Sequence, residues 1–219
     1  MERRPEPEVM DDPAQARAYA QADFAASNQA FLDRLLARFP GLRAGRVLDL
    51  GCGPADIPIR LCRALPAASV TAVDASPAML ALGREAVRAA GLERRIELCE
   101  GRIPGLPLPE RGFAAVISNS LLHHLPDPLV LWSEVRRLAA PGAPLLVMDL
   151  FRPASEAAAR RIVDEAGCSQ DPLLVRDFYA SLLAAFTLEE VRAQLAASGL
   201  AHLESALVSE RHLLVWGRV

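Results

Sequence analysis

Apolar and polar positions along this chain fall into two alternating rhythms. Short, largely apolar runs stand at Arg46–Leu50, Ser69–Asp74, Phe113–Asn119 and Pro144–Leu150, and Arg95–Glu100 reads as a further strand. Runs of this length suit strands covered on both faces. Segments that read as helices separate them, at Asp56–Leu65, Ser76–Ala90 and Pro128–Leu138. Ser76-Pro77 offers an N-cap and a first-turn proline, Gly91 a left-handed stop, and Pro141-Gly142 ends the third helix. Pro104–Arg111 is a proline-rich loop. Strand and helix therefore alternate through the first 150 residues. That order predicts an α/β, doubly wound, mostly parallel sheet with helices on both faces.

The flanks follow a different pattern. Pro13–Phe39 reads as helical with a break near Ser27, and Phe31, Leu35 and Leu36 fall on its apolar side. Ala154–Ala166 and Asp171–Phe186 add two helices after the fifth strand. Thr187 and Glu190 form a capping box for Leu188–Ser198, which Gly199 closes. Ser205–Ser209 and His212–Gly217 are close enough to pair as an antiparallel C-terminal hairpin, giving a seven-stranded sheet. Residues 1–12 are acidic and proline-containing, and are expected to form a disordered tail. The expected organisation is one domain over 13–219, with 13–44 as a helical N-terminal cap and 154–186 as a helical insertion.

Composition narrows the chemistry. All 24 basic residues are arginine. The lack of lysine excludes Schiff-base catalysis, a pyridoxal-phosphate lysine and a P-loop lysine. A net charge of −3 demands no basic face, so nucleic acid is not expected as a partner. Cys52, Cys62, Cys99 and Cys168 include no C-x-x-C pair and read as reduced thiols of a reducing compartment. Met1–Asp12 has no apolar core of a signal peptide. No apolar run reaches the ~18 residues of a membrane span. The expected location is cytoplasmic, without membrane insertion; a homodimer is left open.

The segment V-L-D-L-G-C-G-P-A-D, Val47 to Asp56, carries the most chemistry. Its G-x-G alone says only that a strand turns tightly into a helix. Asp49 adds a carboxylate at the carboxyl end of a strand, a costly placement unless something satisfies it. The ammonium group of S-adenosylmethionine would do so, whereas a dinucleotide pyrophosphate would be repelled. Asp56 stands where a dinucleotide fingerprint has its third glycine, so NAD fits poorly. Asp74 ends the next strand, where an acid can hold ribose hydroxyls or cap the following helix.

V-L-D-L-G-C-G-P, then V-T-A-V-D-A-S-P-A-M-L, then F-A-A-V-I-S-N-S-L-L-H-H-L resemble the successive motifs of class I S-adenosylmethionine-dependent methyltransferases. The ubiquinone/menaquinone-type small-molecule branch is the nearest match, over about residues 45–150. The resemblance implies a Rossmann-like fold and S-adenosylmethionine as cofactor, with S-adenosylhomocysteine as product. It implies that Asp49, Gly51 and Gly53 surround the methionine moiety and Asp74 binds the ribose. Ala75 and Met79 would line the adenine, Gly101, Arg102 and Ile103 would match the adenine-side loop, and Asn119 and Ser120 would lie near the methyl group. Two positions depart from the pattern. Arg102 stands where relatives often have an acid, and arginine cannot accept from the adenine amino group. Backbone carbonyls or Glu100 would then read the base. Ala55 stands where many relatives carry a further glycine.

The acceptor is expected beyond the fourth and fifth strands, under a lid of the N-terminal and inserted helices. His123 and His124 are the candidate catalytic bases, although one is expected to be structural. Asp149 would face the pocket or cap a helix. Tyr19 and Tyr179 would contact a ligand or simply pack. No ligand spacing points to a metal. The reaction expected is in-line methyl transfer to a small-molecule acceptor, aligned ~3 Å behind the methyl group. Transfer of a different group, cofactor binding without turnover, and NAD-dependent oxidoreduction are the competing readings, the last disfavoured by Asp49 and Asp56.

Overall fold

Successive strand residues point to opposite faces, and here both faces are buried. In the computed structural model, which describes residues 1–6, 11–166 and 171–219, this produces one seven-stranded sheet. Its strands are β1 (Ala44–Leu50), β2 (Ala67–Asp74), β3 (Ile96–Glu100), β4 (Ala115–Asn119), β5 (Pro144–Leu150), β6 (Glu204–Leu207) and β7 (His212–Arg218), in the order β3-β2-β1-β4-β5-β7-β6. Strands β1 to β5 pair in parallel, while β7 runs antiparallel to both β5 and β6. The chain reverses its direction of winding between β1 and β4. This is the crevice where sheets of this kind bind ligands.

The alternation assigns the core. Val47, Ala115, Ile117, Leu146 and Met148 face one side and pack with α2 (Ala25–Arg38), α3 (Asp56–Ala64) and α4 (Pro77–Ala89). Leu48, Val116, Leu145 and Val147 face the other, under α5 (Leu129–Leu138) and α8 (Leu188–Ala197). Trp132 on α5 is fully buried, and its indole N–H donates to Gln194 of α8 at 3.1 Å. A third apolar cluster joins Leu150 to Ile162, Val163, Leu182 and Leu183, so α6 (Glu156–Glu165) and α7 (Pro172–Ala184) stack beyond the end of β5.

Two sequence expectations change. The break in the N-terminal helices lies at Ala22–Phe24, not at Ser27, and separates α1 (Pro13–Gln21) from α2. Tyr19 and Phe24 meet across it with ring centroids 4.7 Å apart. Residues 1–6 do not form a free tail. The Arg3 guanidinium donates to the carbonyls of Ala184 (2.6 Å), His123 and Leu125 (both 2.9 Å), and lies 3.9 Å from the centre of the Phe186 ring. The last carbonyls of a helix lack intrahelical partners, and a cation is favoured beside them. Arg3 fills that role for α7, which low hydropathy alone cannot reveal. Residues 7–10 of the expected tail, and Cys168, lie outside the described residues.

Candidate cofactor and acceptor site

The carboxyl ends of β1, β2 and β4 open into a cavity of about 1050 Å³. Asp49, Gly51, Gly53, Asp74, Ala75, Met79, Gly101, Arg102, Ile103, Asn119, Ser120, Tyr19, His123 and His124 all line it. The volume is of the size that holds a cofactor and a small second ligand.

The loop after β1 is shaped by two glycines. Gly51 has φ +77°, and a Cβ there would stand 2.9 Å from the Leu121 Cβ. Gly53 has φ +52°, and a Cβ there would meet nothing within 4 Å, so the backbone faces open cavity. The Gly53 amide donates to one Asp74 oxygen at 2.7 Å, and the Ser76 amide to the other at 2.9 Å. Each carboxylate oxygen has a second lone pair, so Asp74 can still accept from a ligand hydroxyl. Burial pushes its carboxyl up, while the Ser76 and Gly53 amides pull it down.

Asp49 is 2% exposed, and its Oδ2 meets no hydrogen-bonding partner among the described residues. Burial, with the charge of Asp74 added, pushes its carboxyl up to about 8. Asn119 Oδ1, at the end of β4, is likewise buried without a partner. Such orphans are uncommon in native interiors and point to a missing hydrogen-bonding group. An ammonium and a hydroxyl or amine would satisfy them, which fits the amino-acid end of S-adenosylmethionine. On the adenine side Ala75, Met79, Gly101, Arg102 and Ile103 face the cavity, whereas Glu100 is exposed and does not line it. Glu100 therefore does not replace the acid that Arg102 displaces.

Beyond β4, Ser120 takes a left-handed φ of +59° and leads into a 3-10 turn, Leu122–His124. Asp149 holds that turn: one oxygen accepts from the Leu122 amide at 2.6 Å, and the other meets His123 Nδ1 at 2.5 Å. Asp149 is 1% exposed and does not line the cavity, so it orients His123 from behind. His123 Nε2 faces Glu6 Oε1 at 3.5 Å, and His124 Nδ1 faces the same oxygen at 3.3 Å. Ser181 on α7 donates to Glu6 Oε1 at 2.9 Å. Burial alone would pull His123 down, but Asp149 and then Glu6 outweigh it and the imidazole is shifted up. Burial shifts Glu6 up as well. Both directions describe a crowd of carboxylates that favours a proton or cation among them.

Tyr19 reaches the cavity from α1, and burial, reinforced by Asp74 and Asp149, pushes its hydroxyl up to about 12. Tyr179 does not reach it. Its hydroxyl lies 3.3 Å from Glu156, and Arg160 lies 5.0 Å from its ring centre. Sequence reasoning missed Glu6 and Arg3, because neither sits in a recognisable local motif.

Residues 47–142 match the methyltransferase domain family. Over 121 residues the chain is 35% identical to the demethylmenaquinone methyltransferase of Bacillus cytotoxicus, covering 55% of this chain and 49% of that one. Over 110 residues it is 34% identical to the demethylmenaquinone methyltransferase of Porphyromonas gingivalis, covering 50% and 45%. The chain spans about half the length of the curated relatives it matches. A SAM-dependent methyltransferase from Aquifex aeolicus shares the fold with a TM-score of 0.67 at 19% identity, over 95% of this chain and 98% of that one. The phosphoethanolamine N-methyltransferase 2 of Haemonchus contortus, solved with phosphomonomethylethanolamine and S-adenosylhomocysteine, gives 0.69 at 18% identity, over 90% and 44%. Residues 47–142 are thus similar to methyltransferase domains, and the chain shares its fold with S-adenosylmethionine-dependent methyltransferases.

Proposed function

We propose that this chain transfers the methyl group of S-adenosylmethionine to a small-molecule acceptor by in-line displacement. The observation that carries this reading is Asp49, whose buried Oδ2 at the β1–β4 crevice has no partner among the described residues. The bound cofactor supplies a methyl group on a positively charged sulfur. Asp49 holds the ammonium, and Asp74 accepts from the ribose hydroxyls. Ala75 and Met79 pack the adenine, with backbone groups of Gly101–Ile103 reading its edge. Asn119 and Ser120 flank the methyl group. Tyr19 closes the cavity from α1 and excludes water. His123 and His124 stand where the acceptor's nucleophilic atom is activated.

The net charge of −3 argues against nucleic acid as the acceptor. No described helix is long and apolar enough to cross a membrane. Cys52, Cys62 and Cys99 are free thiols, which supports work in the reducing cytoplasm.

Calorimetry with S-adenosylmethionine and, separately, with NAD tests the central assignment. Binding of the sulfonium cofactor and none of NAD is expected; the reverse result overturns it. Asp74→Ala should weaken cofactor affinity by about 1–3 kcal/mol through lost charge-assisted hydrogen bonds. An unchanged affinity would reduce Asp74 to a brace for the Gly53 and Ser76 amides.

A further inference from the structure

We propose that Glu6, His123 and His124 bind a divalent transition-metal ion at the acceptor end of the cavity, where it coordinates an acceptor oxygen or sulfur. The role toward the acceptor rests on the methyltransferase reading; the ion site does not.

One ligand atom from each of the three residues lies within 4.8 Å of the others. Two of the separations are 3.5 Å, His123 Nε2 to Glu6 Oε1, and 3.3 Å, His124 Nδ1 to Glu6 Oε1. Zinc bonded to nitrogen and oxygen at about 2.0–2.1 Å in a tetrahedron has ligand atoms about 3.3–3.4 Å apart. Two edges of the cluster already match, and closing the third completes a face. His123 is prepared for this role from behind. Asp149 meets its Nδ1 at 2.5 Å, which places the proton there and leaves Nε2 as the lone-pair donor. A carboxylate behind a ligating imidazole is the usual outer support of a metal site. Ser181 orients the Glu6 carboxylate in the same way.

Charge agrees with geometry. Glu6 and Asp149 face the histidine pair, opposed by the Arg3 guanidinium, while Asp177 beside Glu6 is paired with Arg176, so the carboxylates at the cluster favour a cation there. Two imidazoles and one carboxylate suit zinc or ferrous iron better than magnesium or calcium. Three protein ligands leave a fourth position for a second ligand. His123 and His124 line the cavity, so that position is available to an acceptor there. The acceptor class that follows is one with an ionisable hydroxyl or thiol, whose proton leaves to solvent as oxygen or sulfur binds the ion. The charged atom then attacks the methyl carbon, and the carbon–sulfur bond electrons return to the cofactor's sulfur.

The chelator-stripped full chain is titrated with zinc chloride by calorimetry, and metal is counted after desalting. One zinc per chain is expected. Glu6→Ala and His124→Ala, at positions that are partly solvent-accessible, should each weaken zinc at least about 100-fold, and Asp149→Asn about 10–100-fold. The distant, exposed His202→Ala should leave the affinity unchanged. No zinc retained, or full affinity in Glu6→Ala and His124→Ala, overturns the site. S-adenosylmethionine is titrated in parallel. Cofactor bound without zinc overturns the ion site alone, whereas zinc bound without cofactor upholds the site and overturns its role in methyl transfer.

Discussion

At the scale of single residues, Asp49 ties the stability of the protein to its ligand. Its carboxyl is pushed up to about 8 in the folded chain, against about 3.9 for an unfolded aspartate. The folded state therefore keeps a proton that the unfolded state has released. Below about pH 4 both states are protonated and the group contributes nothing; as pH rises toward 8 the folded state loses ground. The ligand-free protein should melt at falling temperatures across that window. Asp49→Asn should flatten the trend and raise the melting temperature at pH 8, while abolishing cofactor binding. An equal pH slope in the variant would show that Asp49 is not the cause. The sequence announced this residue because its motif is contiguous from Val47 to Gly53. Glu6 stayed hidden for the opposite reason: it reaches the histidine pair only through the folded path of a distant segment. Tyr179, expected either to contact a ligand or to pack, sits in no motif that gives its side chain a direction; it lies against Arg160 and Glu156.

At the scale of elements, strands and helices were legible to within one or two residues apart from the break between α1 and α2, since each carries its own period, caps and stops. The 3-10 turn at Leu122–His124 was not. It is held by the Asp149 carboxylate from β5, a tertiary contact that no local window contains. The strap of residues 1–6 is a second case. One guanidinium joins α7 to the 3-10 turn by donating to three carbonyls. Arg3→Ala should destabilise the protein by about 1–2 kcal/mol, reduced from the full value of charged hydrogen bonds by partial exposure. Amide exchange should quicken first in the last turn of α7 and around His123–Leu125. Uniform protection in the variant would mean the strap is only a passenger.

At the scale of the whole molecule, the absence of lysine becomes a structural device. Arg95 spreads its fork over the carbonyls of Cys62 (2.8 Å), Leu65 (2.6 Å) and Ala68 (3.0 and 2.5 Å), tying the end of α3 and the start of β2 to β3. An ammonium has no fork with which to span these acceptors. Arg95→Lys should lower the urea midpoint, by about 1–3 kcal/mol in stability, with the charge unchanged. An unaltered midpoint would show that charge alone suffices. A mostly parallel, doubly wound sheet was implied by strand–helix alternation, but the cavity was not. It needs α1, α7 and the strap brought together over the sheet's carboxyl edge, and their amphipathic patterns do not say where they dock.

The unpartnered oxygen of Asp49 has a consequence for turnover. In the proposed reaction it would hold the amino-acid end of the cofactor, and that end is identical in S-adenosylmethionine and in the spent S-adenosylhomocysteine. Loss of the methyl group would leave that contact untouched, so the carboxylate would hold product and reactant alike. The proposed cycle would then be inhibited by its own spent cofactor, and added S-adenosylhomocysteine should slow turnover in competition with S-adenosylmethionine; turnover unaffected by it would show that Asp49 does not make this contact.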